Sequence, residues 1–384
     1  MRLELLLDAA EFWPRAEADI LSARERVYVQ ALSFEGDRAG LAAAAALRAS
    51  RAPDRRVLVD RFTRHVVSDR LVWTPASLLD PALRAEVRST RRMFRDLERD
   101  GVPVRFSGPL GPLLSRAPAR DHKKLVLVDD RVAYVGGINF SDHNFAWRDL
   151  MLRIEAPEAA RFFGEDFLRT WEDGPAASSR RLPGLELHAL DGRTNERVLD
   201  AVLLSRVDAA RERIHVECAY LTAPFLGRLA AAARRGVAVT VVAPGANNWG
   251  LVRDLLSWPR VTGGVLVRLY PGRMTHMKAC LVDDAALCLG SANFDLWSYH
   301  FQGEYVALVT DPGLIADFRD RVMSEGLARS RPVARPVGRV RGALAAFALR
   351  GLEAGALRLC RDRASRPRPG VEPGSGVRAP AAPW

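Results

Sequence analysis

The residues best suited to catalysis belong to a motif that occurs twice, His-x-Lys-x4-Asp. Its six residues are His122, Lys124 and Asp129 in the first copy and His276, Lys278 and Asp283 in the second. A histidine can act as a nucleophile or as a general acid–base, and a lysine can hold an anion. A single His-x-Lys pair is usually structural or exposed. Two copies in one chain instead indicate one shared reaction site.

A glycine-containing turn and an asparagine follow each motif at the same spacing, Gly-Gly-Ile-Asn at 136–139 and Gly-Ser-Ala-Asn at 290–293. The glycines permit close backbone approach, and Asn139 and Asn293 offer amide donors. Two imidazoles, two ammonium groups and two amides would form a cationic pocket that suits a phosphodiester. The lysines and amides would hold the phosphoryl oxygens, and the histidines would carry out the covalent and proton-transfer steps.

Lysine usage strengthens this interpretation. The chain has 57 Lys and Arg residues, and only Lys123, Lys124 and Lys278 are lysines. Two of the three lie at the matching motif positions, an outcome with a chance probability of about 0.002 if the lysines were scattered over the basic positions. A compact ammonium can enter a tight site that the planar guanidinium of arginine cannot.

The motif is part of a longer internal repeat. Residues 122–140 align with 276–294 at a constant offset of 154 without gaps, and nine of the 19 positions are identical. The similarity continues upstream, where ARERVYV resembles ARERIHV, and downstream, where DLMLRIEAP resembles EYVALVTDP. This pattern indicates an ancestral duplication.

The elements that must position these residues repeat as well. Hydrophobic patterning predicts an α/β fold in which strands alternate with helices. In the first copy the predicted helices are 15–26, 41–48 and 158–171, and the predicted strands are 27–34, 56–59, 124–128, 133–135 and 150–154. In the second copy the helices are 195–211, 224–234 and 313–326, and the strands are 213–220, 237–243, 279–282, 286–289 and 305–309.

Three segments are predicted along the chain. Residues 1–178 form the first half, 184–330 form the second half, and 331–384 form a basic, Arg- and Pro-rich tail that is partly helical and then disordered. The polar stretch 173–185, which contains Pro and Gly, is predicted to link the two halves.

Composition limits the possible partners and surroundings. The net charge is +11, of which the tail from residue 331 carries +8 and the remaining chain +3. Such a tail suits an anionic partner, either membrane phospholipid or nucleic acid. The four cysteines form no CxxC pair, so we expect reduced thiols and no zinc site. Neither a signal peptide nor a transmembrane helix is expected.

The paired motifs resemble the phospholipase D superfamily, whose signature is this duplicated His-x-Lys-x4-Asp with a trailing Gly-Gly/Ser-x-Asn. The resemblance covers roughly residues 1–330 and is closest to the bacterial cardiolipin synthase branch. It rests on Val-Tyr-Val-Gln at 27–30, Trp-Arg-Asp at 147–149 and Gly-Glu at 303–304. It implies two similar α-β-α sandwich halves, with mixed sheets flanked by helices, related by a pseudo-twofold axis. Arg148 departs from the pattern, because many relatives have histidine there.

The resemblance implies a two-step mechanism without a metal or another cofactor. One histidine attacks phosphorus and forms a phosphohistidine, while the other protonates the leaving alcohol and then deprotonates the acceptor alcohol. By analogy His122 is the expected nucleophile and His276 the expected acid–base, although the symmetric sequence does not establish this order. The phosphoryl-binding residues that the resemblance implies are Lys124, Lys278, Asn139 and Asn293.

Four carboxylates complete the set of candidate site residues. Asp149 and Glu304 resemble family residues that orient the histidines through a ring N–H bond, and the sequence does not say which carboxylate serves which histidine. Asp129 and Asp283 belong to the signature and are included among the catalytic candidates, although a structural role is favoured for them.

The function expected from this resemblance is phosphatidyl transfer between phospholipids, with anionic, phosphatidylglycerol-like substrates. We expect a cytoplasmic protein bound peripherally to the inner face of the bacterial cell membrane. The segment 340–361 would form a basic amphipathic helix, either on an anionic leaflet or packed on the domain. Alternatives are a phospholipase D-type hydrolase, a phosphatidylserine synthase, a nuclease and a catalytically silent binding module. Nucleic acid is the less expected partner, because the body of the chain carries little net charge.

Overall fold

The structure is a computed structural model that describes residues 1–108, 117–172, 174–334 and 336–361, without the side chains of 359–361. The stretch 364–384, for which the sequence predicts disorder, lies outside the described residues. Within the described part, no helix combines the length and the apolar composition needed to cross a bilayer.

A seven-stranded mixed sheet forms the centre of the N-terminal half. The strands of this half are β1 (Arg2–Leu7), β2 (Arg26–Ala31), β3 (Asp54–Asp60), β4 (Val66–Val67), β5 (Arg70–Leu71), β6 (Val104–Ser107), β7 (Leu125–Val128), β8 (Val132–Gly136) and β9 (Leu150–Glu155). The sheet has the order β1-β9-β8-β7-β2-β3-β6, and β4 and β5 form a separate small hairpin.

A nine-stranded mixed sheet forms the centre of the C-terminal half. Its strands are β10 (Ser178–Leu182), β11 (Leu185–Asp191), β12 (Arg213–Cys218), β13 (Ala238–Pro244), β14 (Leu266–Tyr270), β15 (Lys278–Val282), β16 (Ala286–Gly290), β17 (Gly303–Val309) and β18 (Arg331–Pro332). Their order is β10-β11-β17-β16-β15-β12-β13-β14-β18.

The two sheets have the same internal topology. Without the edge strands β10 and β18, the order β11-β17-β16-β15-β12-β13-β14 matches β1-β9-β8-β7-β2-β3-β6 strand for strand. In both sheets the three strands that follow the histidine motif pair antiparallel, and the last three strands of the shared order, β2-β3-β6 and β12-β13-β14, pair parallel. The predicted fold class, two similar α-β-α halves related by a pseudo-twofold axis, is therefore confirmed.

Helices cover both faces of each sheet. In the N-terminal half they are α1 (Asp8–Ser22), α2 (Arg38–Ala49), α3 (Pro75–Leu79), α4 (Pro81–Arg99), α5 (Asp142–Ala146) and α6 (Pro157–Glu172). In the C-terminal half they are α7 (Asn195–Leu199), α8 (Ser205–Ala209), α9 (Phe225–Arg234), α10 (Gly250–Leu256), α11 (Pro259–Thr262), α12 (Leu296–His300), α13 (Pro312–Asp317), α14 (Ser324–Arg329) and α15 (Arg339–Arg361).

Sequence explains why these elements form where they do. The central strands are short apolar runs, and every residue of β7 and of β15 is buried, as expected for strands covered on both faces. Aspartates cap several helices: the side chain of Asp37 accepts a hydrogen bond from the backbone of α2, and that of Asp80 accepts two from α4.

One of the apolar cores belongs to both halves. It lies between the two sheets and includes Tyr28 and Phe163 from the N-terminal half and Leu187, Leu287 and Phe318 from the C-terminal half. Separate cores fill the space under the outer helices of each sheet. Because the central core draws on both halves, the two sheets are held face to face.

Two segments differ from the sequence-based expectation. The stretch 173–185, expected to be a linker, contains β10 and the turn into β11, so it extends the second sheet. The part of the tail up to residue 361 also belongs to the C-terminal half, because β18 pairs with β14 and α15 packs on α10. On α15, Leu349 is buried and Arg341 pairs with Asp254 at 2.7 Å. The predicted segment boundaries themselves stay a prediction.

Candidate active site

Each motif histidine is hydrogen bonded through its backbone to the opposite half of the chain. The N–H of His122 donates to the carbonyl oxygen of Gly303 at 2.8 Å, and the N–H of His276 donates to that of Arg148 at 2.7 Å. Gly303 and Arg148 directly precede the two candidate orienting carboxylates. The backbone thus carries each imidazole to the carboxylate that follows the other motif.

The carboxylates pair with the histidines across the two halves. Nδ1 of His122 lies 2.9 Å from Oε1 of Glu304, and Nδ1 of His276 lies 2.7 Å from Oδ2 of Asp149. All four side chains are buried. With Nδ1 engaged in this way, Nε2 is the nitrogen of each ring that is free for chemistry. The sequence left this pairing open, and the structure gives a crossed one.

The two carboxylates differ in their surroundings at positions that match in the repeat. Ser291 donates its hydroxyl hydrogen to Glu304, and Ser298 does so at 2.7 Å. The residue that matches Ser291 is Gly137, where a Cβ would lie only 2.2 Å from Oδ1 of Asp149. Glycine is therefore required there for the carboxylate to fit. Asp149 consequently lacks the serine donor that its counterpart has.

These different surroundings shift the pKa values of the two carboxyl groups in opposite directions. Burial raises the pKa of Asp149 to about 6, against the charges of Lys278 and Lys124. Burial also acts to raise the pKa of Glu304, but the imidazole of His122, Lys124 and the serine donor outweigh it, so the pKa of Glu304 is lowered. Glu304 is therefore the more strongly ionised of the two carboxylates.

The two motif lysines lie in the same buried site. Nζ of Lys124 donates to the carbonyl oxygen of His122 at 2.7 Å, and Nζ of Lys278 donates to that of His276 and lies 2.9 Å from its Nδ1. Burial lowers the pKa of Lys124 to about 7 and that of Lys278 to about 8. Each ammonium also has protons left for a further acceptor.

The two motif histidines and the two motif lysines shift one another's pKa values, so they behave as one electrostatic cluster. Burial lowers the pKa of His122, and both lysines lower it further against the effect of Glu304. Burial, Lys278 and Lys124 together hold the pKa of His276 well below its usual value, and His122 contributes. The motifs of the two halves therefore share one cationic centre, in which a bound anion would relieve the mutual repulsion.

The two motif asparagines have unequal surroundings. Oδ1 of Asn139 accepts hydrogen bonds from the backbone of Leu32 and Ser33, and its amide nitrogen donates to Asn144 at 3.3 Å. Oδ1 of Asn293 is buried and has no hydrogen-bond partner among the described residues. Asn139 thus fixes the loop that follows β2, and a phosphoryl contact for either asparagine stays a prediction.

The motif aspartates bind backbone at the start of a strand. The carboxylate of Asp129 accepts hydrogen bonds from the N–H groups of residues 24–26, and that of Asp283 accepts them from residues 211–213. Both aspartates have a positive φ, +53° and +48°, at the turn after the motif strand. These contacts fix the entry into β2 and β12, so we propose a structural role in place of the catalytic one that the motif suggested.

Two aromatic residues that were not among the predicted site residues flank His276. The Trp147 ring lies 4.8 Å from the imidazole between centroids, and the Tyr220 ring lies 6.0 Å from it. Trp147 comes from the N-terminal half and Tyr220 from the C-terminal half. Trp147 lies two residues before Asp149, so its position in the sequence could have indicated that it belongs to the site. No such signal marks Tyr220, which has no counterpart in the other copy of the repeat.

The departure at Arg148 has a structural explanation. Its guanidinium is fully buried and donates to Glu217 at 2.8 Å, to Glu325 at 3.0 Å and to the carbonyl oxygen of Val322. The side chain thus crosses from the N-terminal half into the C-terminal half, while its carbonyl oxygen holds His276. Arg148 therefore fastens the two halves together directly beside the site.

The fold and the site define the class of this protein. Two matching sandwich halves that enclose two imidazoles and two ammonium groups form the arrangement of a phospholipase D superfamily enzyme. The chain also matches the family described as "Cardiolipin synthase, PLD-like domain" over residues 17–171 and 203–324, ranges that contain both motifs. The chain belongs to this family.

Named relatives and solved structures agree with this assignment. Cardiolipin synthase B from Escherichia coli O6:H1 (strain CFT073) is 27% identical in an alignment of 349 positions, which covers 84% of this chain and 79% of that protein. Cardiolipin synthase A from Yersinia pseudotuberculosis serotype O:1b (strain IP 31758) is 28% identical in an alignment of 312 positions, which covers 67% of this chain and 63% of that protein. Phosphatidylserine synthase from Haemophilus influenzae Rd KW20 has the same fold, with a TM-score of 0.66 at 16% identity over 94% of this chain and 93% of that chain.

Proposed function

We propose that this protein is a phosphatidyltransferase of the cardiolipin synthase type, which moves a phosphatidyl group from one phospholipid to another through a phosphohistidine. The observation that carries the proposal is the crossed site, in which each imidazole is oriented by a carboxylate of the opposite half and both motif lysines share the space. The names of the relatives supply the lipid class.

In the first step, Nε2 of His122 attacks phosphorus and forms an N–P bond, in the order that the family resemblance implies. The bond from phosphorus to the leaving oxygen breaks, and His276 gives its proton to that oxygen. The negative charge of the bound phosphodiester offsets Lys278 and Lys124, which lower the pKa of His276 in the empty site, and so favours the protonated ring that this step needs. A free alcohol, such as glycerol, departs. Lys124 and Lys278 stabilise the charge on the phosphoryl oxygens, and Glu304 stabilises the charge that develops on the His122 ring.

In the second step, neutral His276 accepts the proton of the acceptor hydroxyl, and the resulting oxygen nucleophile attacks the same phosphorus. The N–P bond breaks and His122 is restored. Asp149 holds the His276 ring in the orientation that both proton transfers require. The reacting histidines are nearly buried, which supports an alcohol held in the site as acceptor over bulk water.

We propose anionic, phosphatidylglycerol-like lipids as donor and acceptor, and no cofactor. Two ammonium groups in one buried centre favour a negatively charged substrate. Because such substrates lie in a bilayer, the protein would act while bound peripherally to the inner face of the bacterial cell membrane.

The test is an assay with purified protein and phosphatidylglycerol vesicles in EDTA. We expect release of glycerol and formation of a four-chain lipid, both detected by mass spectrometry. Phosphatidic acid without the four-chain lipid would identify a hydrolase, and transfer to serine would identify a phosphatidylserine synthase. Unchanged lipid together with cleavage of single-stranded DNA would replace the proposal with a nuclease.

A further inference from the structure

An apolar tip projects from the N-terminal half. It consists of Leu71, Trp73, Leu78 and Leu79, which lie on β5, on α3 and on the turn between them. Trp73 is 54% exposed and Leu79 is 82% exposed, and the other two leucines are also exposed. Exposed leucines are normal when scattered, but four large apolar side chains within nine residues form a patch that favours contact with another apolar phase.

A stripe of arginines begins directly beyond the tip, on α4. Its members are Arg84, Arg88, Arg91, Arg92 and Arg95. Positions 84, 88, 91 and 95 are spaced by four, three and four residues, so they lie on one helix face about 16 Å long. All five side chains are exposed, and none forms an ion pair with an acidic side chain among the described residues.

The acidic residues at this end of α4 are engaged elsewhere. Asp80 caps the helix and pairs with Arg70 at 2.6 Å, and Glu86 accepts a hydrogen bond from Ser68 at 2.9 Å. The exposed face of the helix is therefore positive next to the apolar tip, a combination that is typical of surfaces that bind anionic lipid.

Polar contacts link the turn between β4 and β5, next to the tip, to a residue beside the active site. Oδ1 of Asp69 lies 3.6 Å from Nε2 of His143, and its Oδ2 accepts a hydrogen bond from Asn248 at 3.3 Å. Asn248 in turn accepts one from the hydroxyl of Tyr220, whose ring lies beside that of His276. Because Trp73 follows Asp69 by four residues, its Cα atom lies within about 14 Å of that of Asp69, where this series of contacts begins.

We propose that the apolar tip and the arginine stripe form the surface that docks this protein on an anionic lipid bilayer, with the tip in the headgroup region and the stripe on lipid phosphates. The proposal deepens the proposed function and rests on it, because a bilayer-bound phospholipid substrate would then meet the protein beside the site. Tryptophan and leucine side chains are typical of surfaces that insert into the membrane interface. Leu78 and Leu79 offer no hydrogen bond or charge to a nucleic acid, so they favour a lipid partner.

A second exposed apolar stripe, on α15, is the competing surface. It comprises Val340, Leu344 and Phe347. Hydrogen bonds run from Asp69, on the hairpin that carries the tip, through Asn248 to Tyr220 beside His276, whereas the described polar contacts of α15 go to Asp254 and His300, away from the site residues. The two surfaces are far apart in sequence, so they can be altered independently.

The experiment measures cosedimentation of the full chain with vesicles of phosphatidylglycerol and phosphatidylcholine, and with phosphatidylcholine alone. The variant Leu78→Glu/Leu79→Glu is compared with Leu41→Glu/Leu266→Glu, which adds the same charge at exposed leucines elsewhere. We expect the tip variant to lose anionic-vesicle binding at least about tenfold, and the control to bind as the wild type does. Arg88→Gln should weaken binding by about fivefold at low salt.

A second readout separates this proposal from the proposed function. On phosphatidylglycerol with six-carbon chains, below its micelle concentration, the tip variant should turn over as the wild type does, because the tip contacts a bilayer and not the reacting atoms. Unchanged vesicle binding in the tip variant would overturn the proposal, as would equal loss in the control. Loss in Leu344→Glu/Phe347→Glu alone would place the docking surface on α15. If the proposed function is wrong, neither the wild type nor any variant will turn over the short-chain lipid. The vesicle-binding measurement would then still test the docking surface by itself.

Discussion

Replacing either of two adjacent buried lysines, Lys123 and Lys124, with methionine should change the free energy of unfolding in opposite directions. Burial lowers the pKa of Lys124 from its usual 10.5 to about 7, so the folded state disfavours the charge. At about 1.4 kcal/mol for each tenfold difference in proton affinity, the cost approaches about 5 kcal/mol at pH values below 7. Lys124→Met removes this cost at similar volume, so the free energy of unfolding should rise by about 2–5 kcal/mol.

The pH dependence of this gain follows from the sign of the shift. The folded pKa is below the unfolded one, so the penalty is fully present below about pH 7 and disappears as the pH rises to about 10.5. The increase in the free energy of unfolding caused by Lys124→Met should therefore be large at pH 6 and roughly half as large at pH 9. Turnover of phosphatidylglycerol should fall by at least about a hundredfold in the same variant, because a charge that stabilises the transition state is lost.

Lys123→Met is the matched control. Nζ of Lys123 lies 2.6 Å from Oδ2 of Asp166, and the Tyr305 hydroxyl donates to the same oxygen. Removing the ammonium leaves a buried carboxylate without its cation, so stability should fall by about 3–5 kcal/mol. Thermal and urea unfolding of both variants at pH 6 and pH 9 measures the contrast. Destabilisation of Lys124→Met at pH 6, to the extent seen for Lys123→Met, would refute the reasoning.

Three further predictions concern the site. With a nitrophenyl phosphodiester, whose leaving group needs no acid, His276→Ala should accumulate a phosphoenzyme and His122→Ala should not; the reverse, read by intact-protein mass spectrometry, would exchange the two roles. The kcat/KM for phosphatidylglycerol should fall below about pH 6 as Asp149 is protonated, and above about pH 7 as Lys124 loses its proton; a flat profile from pH 5 to 9 would contradict both assignments. Arg148→Ala should lower stability by about 3–5 kcal/mol, because it leaves the buried carboxylate of Glu217 without its cation, and an unchanged melting temperature would argue against the role of Arg148 in holding the two halves together.

The sequence could predict the fold because its signals were local and occurred twice. The apolar runs at 125–128 and 279–282 form buried strands within a residue of the predicted bounds, and the repeat itself indicated two equivalent sheets. The first strand, Arg2–Leu7, was not predicted. It pairs antiparallel with β9, about 150 residues further along the chain, and such pairing leaves no local periodic signal strong enough to recognise.

The crossed geometry of the site could not be predicted from the sequence. Glu304 lies 182 residues from His122, and Asp149 lies 127 residues from His276, so the pairing depends on how the two sheets face each other. The different acidities of the two carboxylates arise mainly from their buried neighbours, His122 and Lys124 above all, and one difference in the repeat, Gly137 against Ser291, adds to them. The effect of this difference on the pKa values can be recognised only from the structure, which shows that Ser291 contacts Glu304 and Gly137 contacts Asp149.

The exchange of carboxylates between halves has a consequence for the origin of this chain. A single ancestral unit could have completed its reaction centre only as a homodimer, in which each subunit lent its acid to the histidine of the other. Duplication of the unit within one chain would keep that geometry and remove the requirement that the two halves be identical. Each imidazole could then specialise, one for bonding to phosphorus and the other for carrying protons.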